Sequence, residues 1–140
     1  MSFKVGIVGY GLAGSTFHAP LLKPAGIELA AVASKQPEKV KADFPLAHVY
    51  EKPQELFADP SLDLIILASP SPTHFELGVQ ALRAGKNVVI DKPFAATSGE
   101  AQQLIDTAKE VGKRVSCFQN RRWDAEYLTL KKLMADGVLG

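Results

Sequence analysis

Apolar residues fall along this chain in short β-branched runs separated by stretches with a helical period. Phe3 to Val8 is such a run, ended by Gly9, and predicts a first strand. Leu12 to about Leu22 has a helical period, which Pro20 is expected to kink or end early. Ile27 to Ala33 predicts a second strand, and Pro37 to Phe44 a short helix with proline at its first position. A weak strand is expected around Val49, then a short helix from Pro53 to Ala58.

The second half is patterned more strongly. Leu62 to Ala68 is almost continuously apolar, as befits a parallel strand covered on both faces. Thr73 and Glu76 have capping-box spacing and predict a helix that Gly85 terminates. Asn87 to Ile90 predicts the next strand. Thr97 and Glu100 repeat the capping spacing ahead of an apolar stripe of Ala101, Leu104, Ile105, Ala108 and Val111, closed by Gly112. Arg114 to Gln119 predicts a sixth strand. A last helix is expected over Ala125 to Ala135, burying Tyr127, Leu128, Leu130, Leu133 and Met134. Gly137-Val138-Leu139-Gly140 has the look of the start of a further element.

Strands alternating with helices imply right-handed crossovers and an α/β fold with a doubly wound parallel sheet. Six strands fit the Rossmann pattern in the order 3-2-1-4-5-6, with residues 1–140 as one domain. Composition supports this class: 46% hydrophobic and 22% charged residues are ordinary for a globular domain. Sixteen Lys and Arg against fifteen Asp and Glu give a formal charge of +1, which offers no electrostatic footing for nucleic acid or an anionic membrane. Cys117 stands alone, so neither an intrachain disulfide nor a cysteine-built metal site is expected, and no metal is assigned. With no apolar run near ~18 residues and no signal-like start, a cytoplasmic domain is expected.

Candidate chemistry gathers where strands end. Gly9-Tyr10-Gly11-Leu12-Ala13-Gly14 matches G-x-G-x-x-G between a strand and a helix, the context in which the motif holds a pyrophosphate. Gly9 permits the turn, Gly11 lets the backbone approach the anion, and Gly14 allows close helix packing. After the second strand an acidic residue would select NAD through the ribose hydroxyls. Ser34 and Lys35 stand there instead, a hydroxyl and an ammonium suited to a 2′-phosphate. NADP is therefore favoured, with NAD as the other cofactor.

The fourth strand runs into Ser69-Pro70-Ser71-Pro72-Thr73-His74, expected to border the cofactor. His74 reads either as part of that lining or as a helix-start histidine with a satisfied ring. Asp91-Lys92-Pro93 follows the fifth strand. A lysine beside a nicotinamide can exchange a proton with an alcohol oxygen while hydride moves at carbon, yet taken alone the tripeptide is only a charged turn. Asn120-Arg121-Arg122-Trp123-Asp124 follows the sixth strand, and its arginines read as a phosphate or substrate patch or, at least as well, as a solvated ion-pairing loop.

Taken together and in order, Gly9–Gly14, Ser69-Pro70-Ser71 with His74, Asp91-Lys92-Pro93 and Asn120-Arg121-Arg122-Trp123 resemble the glucose–fructose oxidoreductase/inositol dehydrogenase/MocA family. The resemblance covers essentially the whole chain. It implies a nicotinamide-dependent oxidoreductase acting on CH–OH groups of sugars, cyclitols or related polyols. On it Lys92 is the catalytic lysine, the bond before Pro93 is cis, and Arg122 and Trp123 join the cofactor-binding set. Phe17-His18-Ala19-Pro20 and the Asn-Arg-Arg-Trp run look closest to NADP-dependent members resembling scyllo-inositol dehydrogenases. Two departures stand out. The family's Glu-Lys-Pro is Asp91-Lys92-Pro93 here, and its Thr-Pro-Asn is Ser69-Pro70-Ser71, so that an asparagine contact to the cofactor is either lost or replaced by a hydroxyl. Family members also carry a C-terminal domain that builds most of the substrate pocket and contributes to homo-oligomers. Without it, this chain is expected to bind cofactor with almost no turnover. The rival expectation is a non-catalytic NADP-binding sensor.

Overall fold

The computed structural model describes residues 3–139. One sheet holds β1 (Lys4–Val8), β2 (Glu28–Ala33), β3 (His48–Tyr50), β4 (Leu64–Leu67), β5 (Asn87–Ile90) and β6 (Val115–Cys117). The strands lie in the order β3-β2-β1-β4-β5-β6, and every pair is parallel. This is the Rossmann order expected from the alternating pattern, with its reversal between β1 and β4, where open α/β sheets bind ligands.

Each face of the sheet carries its own core. Ile65 and Leu67 join Val88, Ile90, Leu56, Phe57, Ala81, Leu82, Leu104 and Ala108 on one side. These side chains pack beneath α3 (Pro53–Ala58), α4 (His74–Arg83) and α5 (Ser98–Glu110). Ile66 turns to the other side with Val5, Ile7, Leu29, Val32, Ala19, Leu22 and Val40. There α1 (Ala19–Leu22) and α2 (Pro37–Asp43) cover the sheet. The unbroken apolar run of β4 follows from this double coverage.

Several elements differ from the sequence expectations for identifiable reasons. Pro20 does not end the first helix. Ala13–His18 forms a wider turn in which the Ala19 N–H donates to the Gly14 carbonyl five residues back, and α1 continues from it. Proline normally collides with the carbonyl four residues before it, and the wider turn relieves that crowding.

The two expected capping boxes also part company. Thr97 has extended backbone angles, accepts the Glu100 N–H at 3.1 Å, and is capped in return by the Glu100 carboxylate. Thr73 is already in helical backbone space, because a 3₁₀ turn at Ser71–Thr73 precedes α4. Its hydroxyl therefore turns back to the Pro70 carbonyl at 2.7 Å instead of capping the helix.

On α5, Leu104 and Ala108 are buried as expected, but Ile105 is partly exposed and Thr107 is buried in its stead. The largest correction is α6 (Ala125–Ala135). Its span is as expected, yet Tyr127, Leu128, Leu130 and Met134 are exposed, and Leu133 is only half-buried. Apolar periodicity marks a face that wants a partner without saying that the described residues supply one. Gly137 to Leu139 form a turn, and Gly140 lies outside the described residues.

Candidate cofactor and catalytic site

The carboxyl ends of β1, β2, β4, β5 and β6 share one edge, and the motifs meet there. β1 delivers the glycine turn. Gly9 has φ of +91°, and a Cβ on it would meet the Ala68 carbonyl oxygen at 2.8 Å. A Cβ on Gly14 would collide with the Gly9 carbonyl. Both glycines are thus required by the chain's own packing. Gly11 differs: a Cβ there would meet nothing within 4 Å. Its missing side chain leaves open space in front of the first helical turn, where backbone N–H groups lack intrahelical acceptors and favour an anion. A dinucleotide pyrophosphate fits this cradle. Leu12 beside it is 73% exposed, and Ala13 is half-buried.

Tyr10 contributes differently from its neighbours. Its side chain is buried, and its hydroxyl donates to Asp43 Oδ2 at 3.0 Å. Burial, reinforced by Asp43, pushes the phenol up to about 12. The ring is therefore part of the core, and only the Tyr10 backbone faces the turn. Lys39 on α2, which belongs to none of the motifs above, reaches this backbone. Its ammonium donates to Ser15 Oγ at 3.2 Å and to the Tyr10 carbonyl at 3.4 Å. Lys39 stands four residues after Lys35, on the helix that the sequence predicts from Pro37.

At the end of β2, Ser34 is half-buried and its Oγ accepts the Gln36 N–H at 3.0 Å, which leaves the hydroxyl proton free to donate outward. Lys35 is exposed and, among the described residues, held by no hydrogen bond or ion pair. No carboxylate stands at residues 34–36.

After β4, the Thr73 hydroxyl proton is committed to Pro70, so the 2.7 Å contact between Ser69 Oγ and Thr73 Oγ1 has serine as donor. Pro70 and Ser71 are exposed on this loop. His74 is only 1% exposed. Its Nδ1 lies 2.8 Å from the Pro93 carbonyl, and its Nε2 lies 2.8 Å from the Ser69 carbonyl. The buried ring thus braces two loops, the one that follows β4 and the one that follows β5.

After β5, the Lys92–Pro93 peptide bond is cis, as the resemblance implied. Asp91 Oδ1 accepts the Lys92 backbone N–H at 2.7 Å. Lys92 itself is exposed, and among the described residues no hydrogen bond or ion pair engages its ammonium. On the other flank His18 is buried, with Nε2 3.5 Å from Asp91 Oδ2. Burial holds this imidazole below its usual pKa, with the Asp91 carboxylate opposing.

In the loop after β6 the two arginines part. Arg121 pairs with Asp124 at 2.7 Å and belongs to the solvated ion-pairing reading. Arg122 and the 78% exposed Trp123 instead line a cleft of about 970 Å³, walled opposite by Phe17, Pro20 and Leu21. Neither the glycine turn nor Lys92 borders that cleft. Among the described residues no cluster of His, Cys, Asp and Glu is placed to hold a metal ion, and no helix is long and apolar enough to cross a membrane.

Comparison with known proteins agrees with this geometry. Residues 3–119 match the oxidoreductase family with an NAD-binding Rossmann fold, the glucose–fructose oxidoreductase/inositol dehydrogenase/MocA group. The chain is 51% identical over 140 residues to the uncharacterized oxidoreductase YdgJ of Escherichia coli, covering 99% of itself and 40% of that protein. It is 42% identical over 139 residues to the NADP-dependent scyllo-inositol 2-dehydrogenase IolW of Bacillus subtilis, covering 99% of itself and 39% of that protein. Among solved structures, an NAD-binding protein from Listeria innocua superposes with a TM-score of 0.88 at 33% identity, over 98% of this chain and 41% of that one. The chain thus spans about two fifths of the length of the curated relatives it matches. A glycine turn, a lysine turn and a serine loop on one edge of a 3-2-1-4-5-6 sheet therefore have a family to which they belong: this chain is an NAD-binding Rossmann domain of the glucose–fructose oxidoreductase/inositol dehydrogenase/MocA oxidoreductases.

Proposed function

We propose that this domain binds NADP in preference to NAD and serves an oxidoreductase that interconverts a secondary alcohol and a ketone on a cyclitol, sugar or related polyol. The observation that carries the reading is the pairing of two features on one sheet edge. A hydroxyl-and-ammonium end to β2 has no carboxylate, and an unengaged lysine stands at the end of β5. The relatives' names support the substrate class, since IolW is a scyllo-inositol dehydrogenase and others are inositol dehydrogenases.

In this reading the backbone of Gly9, Tyr10, Gly11, Leu12, Ala13 and Gly14 holds the pyrophosphate, and the exposed Leu12 side chain packs on the cofactor. Ser34 and Lys35 hold the 2′-phosphate, with Lys39 adding positive charge between them and the glycine turn. Ser69, Pro70, Ser71, Asp91 and Pro93 border the nicotinamide end, together with Arg122 and Trp123. The nicotinamide supplies or accepts the hydride when bound. Lys92 takes the proton of the alcohol oxygen in oxidation and returns it in reduction, while Asp91 and Pro93 shape the turn that carries it. A second domain, of the kind the relatives' remaining length provides, completes the substrate pocket. A cytoplasmic location and homo-oligomers belong to the same proposal.

Lys92 is testable in a protein extended by that second domain. General acid–base catalysis contributes about 10²- to 10⁴-fold, so Lys92→Met is expected to slow single-turnover hydride transfer by that factor with little change in NADP affinity. Lys92→Arg is expected to rescue poorly, because guanidinium keeps its proton in this pH range. Near-normal hydride transfer in Lys92→Met would reduce Lys92 to an ordinary loop lysine, whereas no hydride transfer in the unmodified extended protein would favour the non-catalytic sensor.

A further inference from the structure

The Asp91–Lys92–Pro93 turn is held from both faces of the sheet, and only one of the two holds is explained by a formed hydrogen bond. From the α4 side, His74 reaches the Pro93 carbonyl at 2.8 Å. From the opposite side, His18 closes the wide turn that follows the glycine motif and lodges its ring against Phe118, with ring centroids 4.1 Å apart. Phe118 is anchored in turn by its N–H to the Ile90 carbonyl at 2.8 Å. The imidazole is thereby wedged between the ends of β5 and β6.

His18 is 3% exposed, and its Nε2 is buried without a hydrogen-bond partner. Native proteins rarely leave a buried nitrogen unpaired, and such a group commonly marks a functional constraint. The ionised group next to it is the Asp91 carboxylate, whose Oδ2 stands 3.5 Å away. The other oxygen of the same carboxylate accepts the Lys92 N–H at 2.7 Å. A line of contact thus runs from the helix behind the glycine turn, through one carboxylate, to the backbone of the lysine. Burial favours the neutral ring, which has one N–H to place, and Nε2 faces the Asp91 carboxylate.

We propose that His18 is a positioning residue for Lys92: by donating from Nε2 to Asp91, it fixes the rotamer of the carboxylate that in turn holds the Lys92 backbone. The proposal rests on the reading of Lys92 as the proton-transferring residue. It extends that reading by giving the lysine a supporting shell built from the cofactor-binding helix. His18 touches neither cofactor nor substrate in this scheme.

The 140-residue chain suffices for the test. Long-range ¹H–¹⁵N spectra of the imidazoles are expected to show His18 protonated at Nε2, with resonances that move on Asp91→Asn. Amide exchange at Lys92 is expected to quicken about tenfold in His18→Leu, as for loss of one charge-assisted hydrogen bond. It should return to within about twofold of the parent in His18→Gln, whose amide donor replaces Nε2–H. Combining His18→Leu with Asp91→Asn should add nothing further at Lys92. An Nδ1-protonated His18, or Lys92 exchange that ignores all these changes, overturns the proposal. Should His18→Leu fail to fold, the imidazole response to Asp91→Asn decides alone, and its absence overturns it. Lys92→Met is expected to leave the His18 tautomer unchanged, so a failure of the catalytic reading is separable from a failure of this one.

Discussion

The three glycines of the turn show how one residue type serves distinct ends a few positions apart. Gly9 and Gly14 are glycine because this chain's own backbone lies against them, whereas space around Gly11 is open. Gly9→Ala places a side chain at positive φ and against the Ala68 carbonyl, so loss of the fold's stability is expected. Gly11→Ala should leave stability unchanged or slightly raised, by the ~0.4–1 kcal/mol that restricting the unfolded chain contributes. Its NADP affinity should nevertheless fall, because the new methyl group occupies the anion's approach. Calorimetric titration and thermal melts of the two variants check both halves, and equal effects of the two substitutions on stability would contradict the division of roles. The motif's spacing was legible in the sequence, but which glycine faces the ligand was not. That distinction depends on Ala68, a residue brought alongside Gly9 only by pairing of β1 with β4. For the same reason Tyr10 was legible as part of the motif and not as a core residue, since its partner Asp43 lies on α2. His18 was legible as part of the Phe17–Pro20 resemblance and not as a partner of Asp91. One histidine in a helical stretch does not say what its ring faces, and its aim at Asp91 appears only when the end of β5 lies beside the first helix.

At the scale of elements, alternation and turn chemistry were enough to order six strands and six helices, with small differences at their ends. What the pattern could not convey was coverage. β4 read as doubly buried and is, with Ile65 and Leu67 facing one core and Ile66 the other. The apolar face of α6 read as equally buried and is not, because periodicity records only that the face is apolar. The energetic consequence is direct. Leu104→Ala on α5 should cost about 2–5 kcal/mol, the range for emptying a packed core position. Leu130→Ser or Met134→Ser on α6, exposed in this chain, should stay within about 0.5 kcal/mol. Urea unfolding of the 140-residue chain measures both. A loss above 1.5 kcal/mol from either α6 substitution would mean that α6 packs on the sheet in solution. The failed capping box at Thr73 teaches the same lesson at smaller range, since the two prolines that stiffen its loop also place threonine in helical backbone space.

Across the whole molecule, the sheet order gathers residues from five loops on one edge, and that convergence follows from the topological reversal between β1 and β4. Family membership and nicotinamide binding rest on it together with the sequence relatives. The choice between the two nicotinamide cofactors rests on a handful of side chains at the end of β2, where Ser34 offers a free hydroxyl proton and Lys35 an unengaged ammonium. A charge-assisted contact contributes about 1.5–3 kcal/mol, or roughly 10- to 100-fold in affinity. The most direct measurement is isothermal titration of the 140-residue chain with NADP and with NAD, repeated on Lys35→Ala. The expected result is an NADP affinity roughly 10- to 100-fold above that for NAD, with the gap largely erased in Lys35→Ala and NAD binding nearly unchanged. Equal affinities for the two cofactors in the unmodified chain would contradict the assignment of Ser34 and Lys35 to a 2′-phosphate.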